Sequence, residues 1–440
     1  MQIPMFLKTQ PPASVTVSDP VVVKKLYRLW RFRVFIAMFI GYAAFYLVRK
    51  NLNASSADIK SAFQLSNAEF GAIFSAWSLV YGVGKFTNGI LADRANLRYL
   101  MAFGLLASAV TNVLFGLSST LVLFILFWSF NGYFQALGWP PCARGLTQWF
   151  SKTERGTYWG LWNASHQIGG SIILVLAAWL STEFGWRSSF FIPAGIVALV
   201  SLFLIWNLRD NPPSLGLPSV ESQYGNQETQ QEEHFETQHE KSQWQLIKEV
   251  LENKEVWLLS VGNVFVYIVR WGILNWSIIY LVTAKGFSKM EASGALAGFE
   301  IWGILGALLA GWLSDRFFSR NRGTLNALYM GVLSLTLLLF WLNPGGTVWF
   351  EATMLFAAGF FVYGPQMLVG VCAADTVRRS QAATATGLTG LFGYVFGATA
   401  SGLGAGWVVD HYGWTGGFVF FISCALIGMV LFLLYRPQHE

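Results

Sequence analysis

The chain is written as long apolar runs separated by short polar breaks. A helix needs about 20 mostly apolar residues to cross a bilayer. Twelve runs meet that length, near 33–53, 69–92, 98–117, 120–142, 156–181, 187–207, 255–283, 291–314, 324–342, 349–373, 381–408 and 414–435. The pattern predicts an all-α membrane protein with twelve transmembrane helices. An even number of spans returns both ends of the chain to one side. One break is unlike the others: from Arg209 to about Gln245 the chain is polar, with Pro212, Pro213 and Pro218 followed by a Gln/Glu-rich run from Gln223 to Glu240. Such a composition reads as a solvated, partly disordered linker. It divides the chain into a six-helix half over 1–208, a linker over 209–245 and a second six-helix half over 246–440.

The halves echo each other. Gly89-Ile90-Leu91-Ala92-Asp93-Arg94 returns as Gly311-Trp312-Leu313-Ser314-Asp315-Arg316, Gly185-Trp186 as Gly413-Trp414, and Gly160 and Gly170 as Gly387 and Gly397. Landmarks in one order at a nearly constant spacing indicate two pseudo-symmetric halves. Parallel repeats of this kind place the substrate site at their interface. The Gly-x-Leu-[Ala/Ser]-Asp-Arg loop resembles the signature that the major facilitator superfamily carries after spans two and eight, which implies the major facilitator fold. The aspartate can accept bonds from a neighbouring helix end, so Asp93, Arg94, Asp315 and Arg316 are read as a gating latch. A plain positively charged loop is the competing reading.

Composition supports the membrane setting. The chain is 54% hydrophobic and 12% charged, against about 25% charged in soluble domains. The net charge of +6 raises the question of nucleic acid, but its distribution answers it. Basic residues gather on one side of the predicted spans, at the N-terminus and at Arg94, Arg98, Lys152, Arg155, Arg316, Arg320, Arg322, Arg378 and Arg379. The positive-inside rule then puts both termini in the cytoplasm. The bilayer, not nucleic acid, is the expected partner. Cys142, Cys372 and Cys424 fall in or at the ends of apolar runs and suggest neither a disulfide framework nor a metal pair.

Charge inside the apolar runs is the main functional signal. Arg49 and Arg270 each follow a Tyr-x-x motif, Tyr46-Leu47-Val48 and Tyr267-Ile268-Val269. A guanidinium at membrane depth costs roughly 2.5–3.5 kcal/mol on insertion scales, so it is expected to face a wet cavity or a partner. If the first span is helical to its end, Tyr42 and Tyr46 lie on the face of Arg49. Lys85, Tyr81, Asn163, His166, Glu300, Tyr363 and Tyr394 add polar groups on other spans. Three cations, Arg49, Lys85 and Arg270, leave the expected cavity cationic, and arginine forks suit a phosphoryl dianion. Glu300 is read as balancing Lys50 or an arginine. An Arg49–Glu300 salt bridge, a core role for His166, a snorkelling Lys85 and purely packed tyrosines stay open as alternatives.

Five segments carry a closer resemblance: Gly41 to Asn51, Gly138-Trp139-Pro140-Pro141-Cys142, Trp162-Asn163 with His166, Arg270 to Ser277, and Tyr363-Gly364-Pro365. Together they resemble the organophosphate:phosphate antiporter family, over about residues 25–435. The resemblance implies exchange of a sugar phosphate (glucose 6-phosphate or another hexose 6-phosphate) for inorganic phosphate in a bacterial inner membrane. It assigns the phosphate to Arg49 and Arg270, with Lys85 and His166 nearby, and no cofactor. Asn275 stands where the family's glycerol-phosphate transporters have an acid, and Thr386 and Thr389 where its dedicated hexose-phosphate transporters have charges. Both departures lean away from those branches, and Asn96-Leu97-Arg98-Tyr99 and Cys142-Ala143-Arg144 are similar to the sensor-type branch, some of whose members transport glucose 6-phosphate. The alternatives are therefore a glycerol-3-phosphate antiporter, or a sensor of external hexose phosphate that reports to a membrane histidine kinase. A proton-coupled sugar carrier would need Glu300 as its proton site. No nucleophile–base pair, metal cluster or phosphate-binding loop is written in the chain, so an enzyme is not expected.

Overall fold

The computed structural model describes residues 9–14, 16–151, 154–224, 243–318, 321–343, 347–377 and 381–435, without the side chains of Phe86, Ile90, Asp93, Arg94, Glu221, Ala383 and 243–246. Among the described residues the structure is helical, with no strand. Ten stretches are long and apolar enough to cross a membrane. One of them, Thr384–Leu434, has 51 residues. It bends at Gly413, whose φ of 65° ends one span and starts the next. The run Asn67–Arg94 completes the twelve; Glu69, Lys85 and the terminal Asp-Arg lower its hydropathy.

The first span is Pro20–Leu47. It begins well before the expected residue 33 because Asp19 caps it, accepting from the amides of Val21 and Val22, with Pro20 at the first turn. It also ends earlier than expected, before Arg49. Short helices Asn51–Ala54 and Ser56–Ala62 follow. Span two is Asn67–Arg94, opened by a Ser66–Glu69 capping box. Span three is Leu97–Leu117, and span four is Leu121–Gln135, continued after a turn by Trp139–Trp149. Spans five and six are Arg155–Phe184 and Ser188–Asn207.

The second half holds spans seven to ten at Lys254–Ala284, Lys289–Phe317, Arg322–Leu342 and Val348–Asp375. Span eleven starts as Ala382–Phe392 and loosens into π-helix over Gly393–Ala398 and Ala400–Gly404. It then joins the helix Ala405–Leu434, which carries span twelve beyond Gly413.

The halves meet along span five against span eight and span two against span eleven. The second contact is close because glycine lines it: a Cβ on Gly71 would sit 2.4 Å from the carbonyl oxygen of Gly402. Ser75 reaches across, donating to Thr399 O at 2.6 Å and accepting from Leu403 N at 2.7 Å. It thereby satisfies backbone groups that the π-helix displaces. Two further polar contacts between the halves lie toward the end opposite the termini. The Asp410 carboxylate accepts from Asn67 N at 3.0 Å and Ala68 N at 2.7 Å, at the positive end of span two. Asp58 pairs with Lys289 at 2.8 Å.

The expected solvated linker is packed where it begins. Asp210 is buried and bonds Leu97 N at 3.1 Å and Arg144 at 3.2 Å, and the Tyr27 hydroxyl donates to Pro218 O. The Gln/Glu-rich run over 225–242 lies outside the described residues.

Candidate functional site

The site is built on the break in span one. Regular helix stops at Leu47, and the amides of Arg49 and Lys50 both turn back to Tyr46 O, at 3.3 and 3.1 Å. Helix ends leave carbonyls without donors, and at membrane depth each costs several kcal/mol if unpaired. Here amide side chains from two other spans supply the donors. Gln135 bonds Phe45 O at 3.0 Å, while Asn112 and Asn131 bond Val48 O at 2.9 and 3.2 Å. Asn112 is in turn held by Asn51 at 2.8 Å.

The break sends two adjacent cations to different partners. Arg49, 5% exposed, enters an aromatic box. Its guanidinium carbon lies 4.2 Å from the Trp77 ring centre, 4.6 Å from Tyr81, 4.9 Å from Tyr46 and 5.2 Å from Trp271. One nitrogen donates to the Tyr46 hydroxyl at 3.3 Å, while Nε and Nη2 are buried with no partner. Lys50 instead passes Gly170, where a Cβ would stand 2.8 Å from Nζ, and forms an ion pair with Glu300. The open alternative of an Arg49–Glu300 bridge is thereby answered: the acid belongs to Lys50.

Glu300 is shared. Its second oxygen accepts from the Tyr363 hydroxyl at 2.7 Å, and that hydroxyl accepts from Arg270 at 3.2 Å. Arg270 is 2% exposed, and its Nε is buried without a partner. Both arginines also lie against one ring, the carbons of Arg49 and Arg270 being 5.2 and 5.3 Å from the centre of Trp271. No more than the sum of those distances separates the two carbons. Neither guanidinium has a carboxylate of its own among the described residues.

The other expected residues close around this pair. Tyr394, on the π-helical part of span eleven, contacts Tyr81 at 4.7 Å and Tyr267 at 5.1 Å between ring centres. Lys85 Nζ lies 5.4 Å from the Tyr394 ring and 5.1 Å from Trp139. His166 stands 5.3 Å from Tyr46 and 6.4 Å from both Tyr42 and Tyr363. Its Nδ1 donates to Asn163 O, which in a neutral ring leaves Nε2 as an acceptor. Asn163 therefore enters through its backbone. Asn275 has no contact with Lys50; its Oδ1 accepts from Asn53 at 3.2 Å.

Sequence reading passed over Trp77, Trp271, Asn112, Asn131 and Gln135. The three amides carried a usable signal, since polar side chains are rare inside apolar runs. Of the four latch residues, the side chains of Asp93 and Arg94 lie outside those described. Asp315 and Arg316 are exposed. The partner of Asp315 is Arg322, at 3.1 Å, which also pairs with Asp375. Consecutive helical residues do not face each other, so Arg316 cannot fold onto Asp315, whereas Arg322 opens the next span and turns back.

A twelve-span helical bundle with buried cations at the seam of its halves is the architecture of a secondary transporter. The profile of the Major Facilitator Superfamily matches residues 38–401, and the chain belongs to that superfamily. Within it the chain falls in the organophosphate:phosphate antiporter branch. It is 42% identical to a probable hexose phosphate transport protein of Chlamydia trachomatis, over 96% of this chain and 95% of that one. It is 39% identical to the membrane sensor protein UhpC of Escherichia coli, over 97% of each. In the fold alone it is similar to a bacterial homologue of the human lysosomal transporter Spinster. That match has a TM-score of 0.75 at 17% identity and covers 92% of this chain and 97% of the other.

Proposed function

We propose that this protein exchanges a hexose 6-phosphate for inorganic phosphate by alternating access, with both termini in the cytoplasm of a bacterial cell. The observation that carries the reading is the pair Arg49 and Arg270. They come from opposite halves and flank one tryptophan, and neither has an acid of its own among the described residues. Their unpartnered nitrogens offer charge-assisted donors to a phosphoryl group. Lys85 adds a point charge, His166 an acceptor for a substrate hydroxyl, and Tyr42, Tyr46, Tyr81, Tyr267, Tyr363 and Tyr394 the walls.

Exchange follows from electrostatics. Closing both ends around an empty site would dry two like charges in a low dielectric, where they repel strongly. A bound dianion neutralises them and lets the halves rock. The empty carrier then hardly crosses, and phosphate must leave for ester to enter. The contacts of Asp58 with Lys289 and of Asp410 with span two would form the external closure, and the loops carrying Asp93, Arg94, Asp315 and Arg316 the cytoplasmic one. The likeness to a hexose phosphate transport protein supports the substrate class, and Asn275 in place of an acid speaks against glycerol 3-phosphate.

The test is vesicle exchange. Protein is reconstituted with labelled phosphate inside, and glucose 6-phosphate is added outside. Release should accelerate many-fold on addition; release at the same rate without external ester would end the exchange reading. A second reading is a sensor of external hexose phosphate reporting to a membrane kinase, favoured by the 39% identity to UhpC. It predicts binding of the ester with little or no flux.

A further inference from the structure

Three arginines away from the central site also have no acid partner among the described residues. Arg33 on span one, Arg98 on span three and Arg209 just past span six meet at the end of the bundle that holds the termini. Arg33 and Arg209 share the Trp30 ring, their guanidinium carbons 4.6 and 4.7 Å from its centre. Arg33 is anchored by two bonds to Asn207 Oδ1, at 3.2 and 3.1 Å, and Arg209 by its donation to Leu208 O at 2.7 Å. Arg98 lies over Tyr99 at 5.0 Å, and its Nε is buried with no partner.

No ion pair among the described residues involves any of the three. One nearby acid, Asp210, is turned inward and spent on Arg144, Leu97 N and Gln10 N. Burial, and after it the charges of Arg98 and Arg33, push the Arg209 guanidinium below its ordinary range. Like charges have thus been collected at one spot with no compensating acid among the described residues.

The surroundings indicate what compensates them. The cluster sits where the apolar runs of spans three and six meet their polar ends, the level expected for lipid headgroups. Trp206 beside it is 67% exposed, as expected of an interfacial aromatic. Further into the bilayer, spans three and six turn Phe103, Leu106, Leu199 and Leu202 outward. A basic pocket between spans with apolar side chains beyond it matches both parts of a phospholipid. We infer that Arg33, Arg98 and Arg209 bind the phosphate of an anionic phospholipid, whose acyl chains lie along spans three and six. This site is separate from Arg49 and Arg270 and does not depend on what is transported.

The test is lipid retention by the purified full-length protein, read by native mass spectrometry during stepwise delipidation with phosphatidylglycerol and phosphatidylcholine both present. Wild type should keep phosphatidylglycerol severalfold longer than the variant carrying Arg33→Gln, Arg98→Gln and Arg209→Gln, with phosphatidylcholine retention equal. If that variant does not fold, Arg98→Lys with Arg209→Lys keeps the charge but loses the forks, and should show an intermediate loss. A control with Lys24→Gln, Lys25→Gln and Arg28→Gln removes the same charge from exposed positions on the same side. It should retain lipid like wild type. Equal retention in wild type and both cluster variants would overturn the site, as would an equal loss in the control. Displacement of the lipid by millimolar inorganic phosphate would assign the cluster to the free ion and overturn the lipid.

Discussion

Lys50 from the first half is ion-paired with Glu300 from the second, and the same carboxylate accepts from the hydroxyl of Tyr363 that also touches Arg270. One acid therefore neutralises one lysine and leaves both arginines uncommitted. The pair ties the halves together at the level of the site, next to the break that lets Lys50 and Arg49 diverge. Its removal has a defined signature. Glu300→Gln leaves a buried ammonium uncompensated, which costs about 3–5 kcal/mol. Glu300→Gln should lower the melting temperature of the purified protein, and adding Lys50→Met should recover most of the loss. A double variant no more stable than either single one would show that the two residues are not coupled.

Trp271 is the ring that both guanidinium groups share. Cation–π contacts contribute about 0.5–2 kcal/mol each. Trp271→Leu should raise the substrate concentration for half-maximal exchange by roughly 3- to 30-fold, from the same range. Trp271→Phe should be milder. An unchanged half-saturation in Trp271→Leu would mean that the ring does not position the arginines.

Asn131 bonds Val48 O and also accepts from the Trp77 indole at 3.0 Å, so it holds both the helix break and one wall of the Arg49 box. Asn131→Leu leaves the buried Trp77 indole short of an acceptor, a loss worth about 1–3 kcal/mol, and leaves Val48 O to Asn112 alone. The variant should lose thermal stability and exchange together. Ser129→Ala, on the same span and outside the network, should be near neutral.

Gly71 and Gly402 set how closely spans two and eleven approach. Gly71→Ala would put a methyl group 2.4 Å from the Gly402 carbonyl oxygen, a backbone atom that cannot swing aside. The halves should then separate at the end away from the termini. The expected result is faster thiol labelling of a cysteine placed at Ser293, buried near that end of span eight, with reduced exchange. Unchanged labelling would contradict the role given to this contact in closure.

The twelve spans and most of the central polar cluster were legible because charge inside apolar runs is costly, and therefore conspicuous. Arg49, Lys50, Lys85, Arg270 and Glu300 could be picked out on that ground alone, and the structure brings them to one region. The break after Leu47 was not legible. Tyr42, Tyr46 and Arg49 have helical spacing, and what interrupts it comes from Asn112, Asn131 and Gln135, far away in the chain. Trp77 and Trp271 were hidden for a different reason. In a chain with 20 Trp, an indole at the site has no local mark that separates it from one at the lipid interface. The start of the linker is packed although its composition suggests solvation: Asp210, Pro212 and Leu217 lie on the first half because Arg144 and the amide of Leu97 give Asp210 its partners.

The most direct test of the central claim is equilibrium binding of inorganic phosphate to purified wild type, Arg49→Lys and Arg270→Lys. Each variant keeps its charge and loses the fork, whose charge-assisted bonds are worth about 1.5–3 kcal/mol. Phosphate should bind about ten- to a hundredfold more weakly to each, from that same range, with the melting temperature little changed. Wild-type affinity in both variants would contradict the account.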